Sequence, residues 1–158
     1  MTTTQIQELA AKYKAATDEF YIVASKLTPE QLNQKKPGGS QSDWTPRQVI
    51  HHMMDSESTS MLRLRRLIAE PGSIIQGYDE GKWSANKTLG YEELPIENSL
   101  ALFAAVREAS YQLIKRLTPE QLQNICIHSE SGEFSVEKWL NAYTNHPLDH
   151  LGQIKEAL

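Results

Sequence analysis

Apolar residues at the start of the chain recur at alternating steps of three and four positions. They are Ile6, Leu9, Tyr13, Ala16, Phe20, Val23 and Leu27. Side chains at this spacing share one face of a helix, so the pattern predicts a first long helix with a single buried seam. Thr28-Pro29-Glu30-Gln31 follows, with threonine at the cap and proline at the first helical position, and it predicts a restart of helix there.

The rest of the chain contains the patterns of three more long helices. Thr45-Pro46-Arg47-Gln48 repeats the capping phrase after a polar loop at Pro37–Asp43, and it predicts a second long helix that ends at Pro71-Gly72. Residues 73–95 show no sustained period and form a long connection, a kind of segment that often carries function in a compact domain. A third long helix is expected from about Ile96 to Leu117, and a fourth from near Ser135 to the end.

Two halves of the chain resemble each other. Leu27–Leu32 recurs as Leu117–Leu122, and the same offset aligns Tyr21 with Tyr111. An offset shared by separate positions favours duplication or pseudo-symmetry over chance reuse of a good capping phrase. Four long helices in two matched halves predict an all-α protein. We expect a four-helix bundle in a single domain over residues 1–158, with a long crossover connection between helices 2 and 3.

Composition and charge argue against a nucleic-acid-binding, secreted or membrane protein. A length of 158 residues suits one domain with a full core, and a net charge of −4 without a clustered basic surface argues against nucleic acid as a partner. The single cysteine, Cys126, excludes an intrachain disulfide and fits a reducing compartment. The first residues lack the regions of a signal peptide, and no apolar stretch is long enough to cross a bilayer. We therefore expect a cytoplasmic protein without a membrane partner.

Two histidines near the end of the chain lie four residues apart. His146 and His150 continue the apolar seam of the fourth helix, which also contains Trp139 and Tyr143 at steps of three and four. A buried imidazole without a partner costs about 1–3 kcal/mol, and one metal ion would satisfy both rings. Pro147 lies between them. Inside a helix a proline removes one hydrogen bond and typically kinks the axis, which leaves the convergence of the two rings open.

The second long helix offers a third imidazole, which would complete a metal site with open coordination positions. His52 lies on the edge of the apolar arc of that helix, so it is the better inward ligand. His51 lies further round and is expected to face solvent or to contact Asp55. Ser56 and Ser60 follow His52 on its side of the helix, where small side chains leave room for a pocket beside a metal.

Three separated motifs resemble those of one family, the DinB/YfiT superfamily. The first runs from Trp44 to Ser56, the second is Tyr78-Asp79-Glu80 followed by Trp83, and the third begins at His146 and reads HxxxHLGQI. The resemblance covers most of the chain and is greatest to the YfiT branch of metal-dependent hydrolases. It implies a four-helix bundle of unusual topology, one divalent zinc or nickel ion per subunit and often a homodimer.

The resemblance places the metal ligands on His52, His146 and His150, and a site of this kind favours hydrolysis. Three neutral imidazoles leave the metal its full charge, so the pKa of a bound water falls from about 16 to about 7. The site can then activate water against a small-molecule substrate at the bundle mouth. No carboxylate is securely placed as a general base. Asp55, Glu57 and Asp149 are the nearest in sequence, and Asp149 is expected to point away from the face of His146 and His150, whereas Asp55 and Glu57 could support the ligands.

Other residues could line the pocket or recruit a cosubstrate. Tyr78 and Trp83, on the long connection, are candidates for lining the pocket. Relatives within the superfamily use the metal to activate a low-molecular-weight thiol, bacillithiol or mycothiol, so a metal-dependent S-transferase is one alternative. Arg63, Arg65 and Arg66 could attract such an anionic thiol, although a charged run on a helix is usually a solvated face. A non-catalytic helical module with a structural metal is the other alternative.

Overall fold

Four long helices and two short ones account for most of the chain. A computed structural model describes residues 1–39 and 43–158, so residues 40–42 of the predicted loop at Pro37–Asp43 lie outside the described residues. The helices are α1 (Thr3–Ala24), α2 (Pro29–Leu32), α3 (Pro46–Ala69), α4 (Glu80–Ala85), α5 (Glu97–Ile114) and α6 (Val136–Ala157). The long helices α1, α3, α5 and α6 pack on one another, which confirms the predicted four-helix bundle.

The threonine capping phrases begin helices as predicted. Thr28 and Thr45 each accept a hydrogen bond from the backbone of the glutamine three residues on, and that glutamine side chain bonds back to the threonine N–H. Thr118 makes the same reciprocal pair with Gln121, but there the phrase opens only a 3-10 turn at Glu120–Gln123. These bonds satisfy N–H groups that a helix start leaves without partners, and so they set where α2 and α3 begin.

A small sheet joins two of the connections. β1 (Ile74–Ile75) pairs in parallel with β2 (Ile125–His128), which pairs antiparallel with β3 (Gly132–Ser135). The sequence does not predict these strands, because two to four residues are too few for the alternation that reveals a strand. The connection over residues 73–95 thus contains β1 and α4. In β2, Cys126 packs into the core without solvent exposure.

Each long helix buries one face. The predicted seam of α1 is buried at Ile6, Tyr13, Ala16 and Phe20. Among the described helices, none is both long enough and apolar enough to span a bilayer. Amphipathic helices of this kind are held in place by packing against one another.

Two apolar clusters lie along the bundle, with polar residues between them. One cluster surrounds Tyr13 and Trp139, and the other surrounds Phe20 and Phe103. Every long helix contributes buried polar residues between the two clusters, and these include Thr17 on α1, Glu57 and Ser60 on α3, Arg107 on α5 and Thr144 on α6. We call this set the polar layer. A charged group buried at such a place is costly unless it is paired, and Arg107 and Glu57, the two charged members of the layer, pair with each other.

Trp139 provides a test of the core. It has no solvent exposure, its ring lies 5.9 Å from that of Tyr13 between centroids, and its Nε1 donates to the Ser60 carbonyl oxygen at 3.0 Å. We expect Trp139→Phe to lower the free energy of unfolding by about 1–3 kcal/mol, because it removes this bond and leaves a space. Urea denaturation measures the change. Trp83→Phe, at a half-buried position of α4, is the matched control, with an expected loss below about 0.5 kcal/mol. Equal losses in the two variants would contradict the expectation.

Candidate metal centre

Three histidine side chains come together where α3 and α6 pack. His52 is on α3 and is 1% exposed, whereas His146 and His150 are on α6 and half-buried. One ring nitrogen from each lies within 4.8 Å of the other two, and the ring centroids of His52 and His150 are 4.6 Å apart. The structure thus brings together the three residues for which the sequence predicts metal binding.

The nitrogens of the α6 histidines are arranged for a cation between them. His146 Nδ1 lies 2.9 Å from Glu57 Oε1, and His150 Nδ1 lies 2.8 Å from Gln153 Oε1. A carboxylate or amide oxygen accepts hydrogen bonds and cannot donate them, so each Nδ1 carries the proton of its ring. When both rings are neutral, each Nε2 presents a lone pair, and the two Nε2 atoms are 3.1 Å apart. Two lone pairs this close repel each other in the absence of a cation.

His52 adds a further nitrogen lone pair. Neither of its ring nitrogens has a hydrogen-bond partner within the described part of the chain, and Trp44 covers the ring with centroids 4.8 Å apart. A buried polar group left unpaired in this way costs about 1–3 kcal/mol. One unpaired imidazole beside two facing Nε2 atoms fits a divalent cation, and imidazole is a ligand that both zinc and nickel accept.

His52 and His150 are neutral at physiological pH. Burial, and then the charges of His150 and His146, lower the pKa of His52 to about 3. Burial, and then the charge of His146, lower the pKa of His150 to about 4. Neutral imidazole is the form that binds a metal, so neither ring has to lose a proton first.

Pro147 does not end α6. The helix continues from Val136 to Ala157 with the proline buried inside it. His146 and His150, on either side of the proline, still bring their Nε2 atoms to 3.1 Å. The two rings therefore converge in spite of the proline between them.

Glu57 lies against His146 as a buried carboxylate. It is 1% exposed and pairs with Arg107, which has no exposure, with Nη1 and Oε1 3.1 Å apart. Burial by itself raises the pKa of Glu57, but the charge of Arg107 and the hydrogen bond from His146 outweigh it and hold the pKa below its ordinary value. Glu57 is therefore a permanent acceptor, which keeps the His146 proton on Nδ1 and leaves Nε2 for a metal.

His51 is buried rather than facing solvent, which corrects one of its two expected placements, while its electrostatic interaction with Asp55 agrees with the other. It is 3% exposed, its Nδ1 lies 2.8 Å from Ser99 Oγ, and its Nε2 lies 3.1 Å from the Leu94 carbonyl oxygen. The reason is that α5 and the segment before it cover this side of α3. Asp55 lies on the same side and accepts a hydrogen bond from the Tyr91 hydroxyl. The structure thus places Asp55 beside Tyr91 rather than against the three histidines.

A cleft of about 360 Å³ opens beside His150. The other residues of its wall are Lys36, Asp43, Trp44, Glu80, Gln153 and Glu156. Lys36 Nζ and Glu156 Oε2 form an ion pair at 2.8 Å. His150 lines the cleft and Trp44 lies on both the cleft and the His52 ring, so the cleft leads to the three histidines.

The sequence does not single out the cleft carboxylate Glu80 or the amide Gln153 as site residues, although a signal exists for each. Gln153 follows His150 by three positions on the same face of a helix, a spacing at which side chains touch. Glu80 belongs to the Tyr78-Asp79-Glu80 motif. Lys36 and Glu156 lie 120 positions apart in the chain, and no local pattern indicates that they meet.

Of the four predicted pocket residues, none is among the described residues that form the wall of the cleft beside His150, and Trp83 lines a separate groove. Ser56 and Ser60 are buried on α3, and Tyr78 lies close to Ser56. Burial raises the pKa of Tyr78, so its hydroxyl stays protonated at neutral pH. Trp83 packs on Tyr78 with ring centroids 4.5 Å apart, but it lines a different groove, together with Arg63.

Two arginines of α3 hold the neighbouring strand. Arg63 Nη2 donates to the Gln76 carbonyl oxygen at 2.8 Å, and Arg66 Nη1 donates to the Ile74 carbonyl oxygen at 3.1 Å. These bonds fasten β1 and the start of the long connection to α3. Both arginines therefore have a structural role, which is to hold this segment against α3.

Comparison with known proteins identifies the family. The family model described as the DinB superfamily matches residues 12–154, which is most of the chain. The chain belongs to the DinB superfamily. The family predicted from the three motifs is thereby confirmed.

DinB-superfamily relatives resemble the chain over most of its length. A protein of Oceanobacillus iheyensis named "Putative metal-dependent hydrolase" is 37% identical over 128 residues, which are 81% of this chain and 71% of the relative. Another protein of that species, similarly named, is 28% identical over 158 residues, which are 100% of this chain and 88% of the relative.

A solved structure of the superfamily shares the fold. It is that of YfiT from Bacillus subtilis, described as "a probable metal-dependent hydrolase with an unusual four-helix bundle topology". The TM-score is 0.86 at 26% sequence identity, and the match covers 99% of this chain and 87% of YfiT. The bundle topology predicted for the chain is confirmed by this likeness.

The adjacent histidines of α3 allow a matched test of the metal centre. We expect His52→Ala to lower the zinc or nickel content of the purified protein by about tenfold or more, because it removes one of three ligands. His51→Ala should keep the metal, because the ring of His51 contacts Ser99 and Leu94 instead. Elemental analysis of both variants measures the difference. Unchanged metal in the His52→Ala protein would remove that residue from the site.

Proposed function

We propose that this member of the DinB superfamily is a metal-dependent hydrolase of small molecules. In this proposal His52, His146 and His150 hold one divalent ion, zinc or nickel, and the substrate lies in the cleft beside His150. The observation that supports it most is the approach of two Nε2 lone pairs to 3.1 Å while both Nδ1 atoms are occupied by oxygen acceptors. The names of the relatives agree with it.

A divalent ion held by His52, His146 and His150 would supply positive charge, which would acidify water and polarise a substrate carbonyl or phosphoryl oxygen. Three protein ligands leave coordination positions open, which is typical of catalytic sites rather than structural ones. Gln153 and Glu57 hold the rings of His150 and His146 by their Nδ1 protons, so the ligands are oriented before any substrate arrives.

The cleft favours a small and largely polar substrate, because all but one of the described residues in its wall are polar or charged. Its volume of about 360 Å³ is at the lower end of the range for ligand sites. Trp44 provides an apolar wall and, by covering His52, keeps bulk water from the inner ring. The Lys36–Glu156 ion pair borders the cleft with charged groups that can fix the orientation of a polar substrate.

Glu80 is the carboxylate that we assign as general base in this proposal. Glu57 is already committed to Arg107 and His146, Glu156 is paired with Lys36, and the charge of Asp43 acts on the same lysine. Glu80 begins α4 and lines the cleft together with His150. Its carboxylate can there accept a proton from the water that attacks the substrate.

Removal of the metal should abolish hydrolysis. We expect a chelator to eliminate cleavage of p-nitrophenyl ester or phosphate substrates, and added zinc or nickel to restore it in the wild-type protein but not in His52→Ala. Release of p-nitrophenol is the readout. Incubation with a chloro-dinitroaromatic electrophile, with and without bacillithiol, is run in parallel. Product that forms only in the presence of the thiol, without any hydrolysis, would replace the proposal by S-transfer.

The role of Glu80 has its own test. We expect Glu80→Gln to lower kcat by about 10²–10⁴-fold while metal content stays at the wild-type level, because the variant keeps the shape of the side chain but cannot accept the proton. Glu93→Gln, on a separate exposed segment, is the control and should retain full activity. A wild-type kcat in Glu80→Gln would show that another group takes the proton.

A further inference from the structure

The proline inside α6 leaves one carbonyl without its usual donor. In an α-helix the N–H of residue 147 would bond to the carbonyl oxygen of residue 143, but Pro147 has no N–H. Tyr143 is 8% exposed, so its carbonyl has little access to water. Arg107 Nη1 donates to the Tyr143 carbonyl oxygen at 2.8 Å. A side chain from α5 thus supplies the hydrogen bond that the proline removes from α6.

The same guanidinium bonds to every other long helix. Arg107 Nε donates to Thr17 Oγ1 at 2.8 Å and Nη2 donates to the Tyr13 carbonyl oxygen at 2.9 Å, both on α1. Nη1 donates to Glu57 Oε1 on α3 as well as to the carbonyl of Tyr143 on α6. Because these donors form a rigid planar fork, the guanidinium has one orientation in which all four bonds are made.

Glu57 connects this fork to the metal centre. Its Oε1 accepts from Arg107 at 3.1 Å and from His146 Nδ1 at 2.9 Å, so one oxygen atom joins the arginine to the histidine. The backbone that carries His146 is held through the Tyr143 carbonyl by the same Nη1 atom. Arg107 therefore holds both the ring and the backbone of His146 in place. It lies outside the cleft and does not contact the three nitrogens proposed to bind the metal.

We propose that Arg107 is a positioning residue for the metal ligand His146, and that Pro147 works with it by leaving the Tyr143 carbonyl for Arg107 to bond. This inference rests on the proposed three-histidine metal site. Arg107 fixes Glu57, Glu57 fixes the His146 proton on Nδ1, and Nε2 is thereby turned towards His150 and His52. A lysine in place of Arg107 keeps the charge but lacks the fork, so it cannot hold Glu57 and the carbonyl in the same geometry.

The test is a cycle of four proteins: wild type, Pro147→Ala, Arg107→Lys and the double variant. An alanine at position 147 restores the N–H that can bond to Tyr143. We therefore expect Arg107→Lys to lower Tm more when Pro147 is present than when it is replaced. Zinc affinity, measured by competition with a chromogenic chelator, should not rank the four proteins in the same order as Tm does. The double variant should bind zinc about 10- to 100-fold more weakly than Pro147→Ala, even though both proteins have the N–H at position 147 that can bond to the Tyr143 carbonyl.

A second measurement reads the position of the proton without any metal. In ¹⁵N imidazole spectra of the chelator-treated protein, we expect wild type and Pro147→Ala to carry the His146 proton on Nδ1. The double variant should show a mixture of Nδ1 and Nε2 tautomers. A role of Arg107 in folding alone predicts no change in either the tautomer or the zinc affinity once Tm is restored, and that result would overturn the proposal.

The outcomes separate this inference from the proposed function. If wild type binds no zinc but its His146 tautomer depends on Arg107, the metal proposal fails and the positioning role stands. If wild type binds zinc and the double variant matches Pro147→Ala in both readouts, the positioning role fails alone. Should the arginine variants not fold, the wild-type spectrum still decides, since a His146 proton on Nε2 contradicts the proposed chain of bonds.

Discussion

The ion pair between Arg107 and Glu57 lies in the polar layer between the two apolar clusters, where neither side chain meets solvent. Removing two charges from water costs several kcal/mol per ion, and their attraction offsets that cost only if the remaining donors and acceptors are bonded as well. Arg107 meets this condition through Thr17 and through the carbonyl oxygens of Tyr13 and Tyr143. The four long helices therefore have one relative position, since sliding any of them would break a hydrogen bond or the ion pair made by the buried guanidinium.

The histidine cluster depends on that position. Apolar burial drives the helices together but is non-directional, whereas hydrogen bonds have preferred distances and angles. The two apolar clusters alone would tolerate small shifts of α6 along α3. His52 and Glu57 share α3, while His146 and the Tyr143 carbonyl share α6, so bonds made in the polar layer also set the separation of the ring nitrogens of the three histidines. The relative positions of the three histidines are thus determined by hydrogen bonds at the centre of the bundle rather than by residues of the cleft.

The bundle and the three histidines could be predicted because both follow from the helical period. Apolar residues at alternating steps of three and four indicate the buried face of each helix. On the second long helix, this pattern predicts that His52 rather than His51 is the inward ligand. The burial of His51 could not be predicted, because it results from Leu94 and Ser99 on another part of the chain. The hydrogen bond from Arg107 to the Tyr143 carbonyl could not be predicted either, because no sequence pattern indicates which backbone carbonyl accepts a bond from a distant side chain. The strands are too short to show alternation, and the cleft unites residues far apart in the chain.

The three histidines come from the two matched halves of the chain, one from α3 and two from α6, with the long connection, α5 and the sheet between them. Neither half contains the whole set, so a nascent or partly unfolded chain cannot hold a cation as the assembled bundle can. A ligand that binds only the folded state raises its stability by mass action, by about 2.7 kcal/mol when the free ion is at 100 times its Kd. If the proposed site holds a metal, the metal supply of the cell would govern the lifetime of the polypeptide against proteolysis as well as the proposed activity.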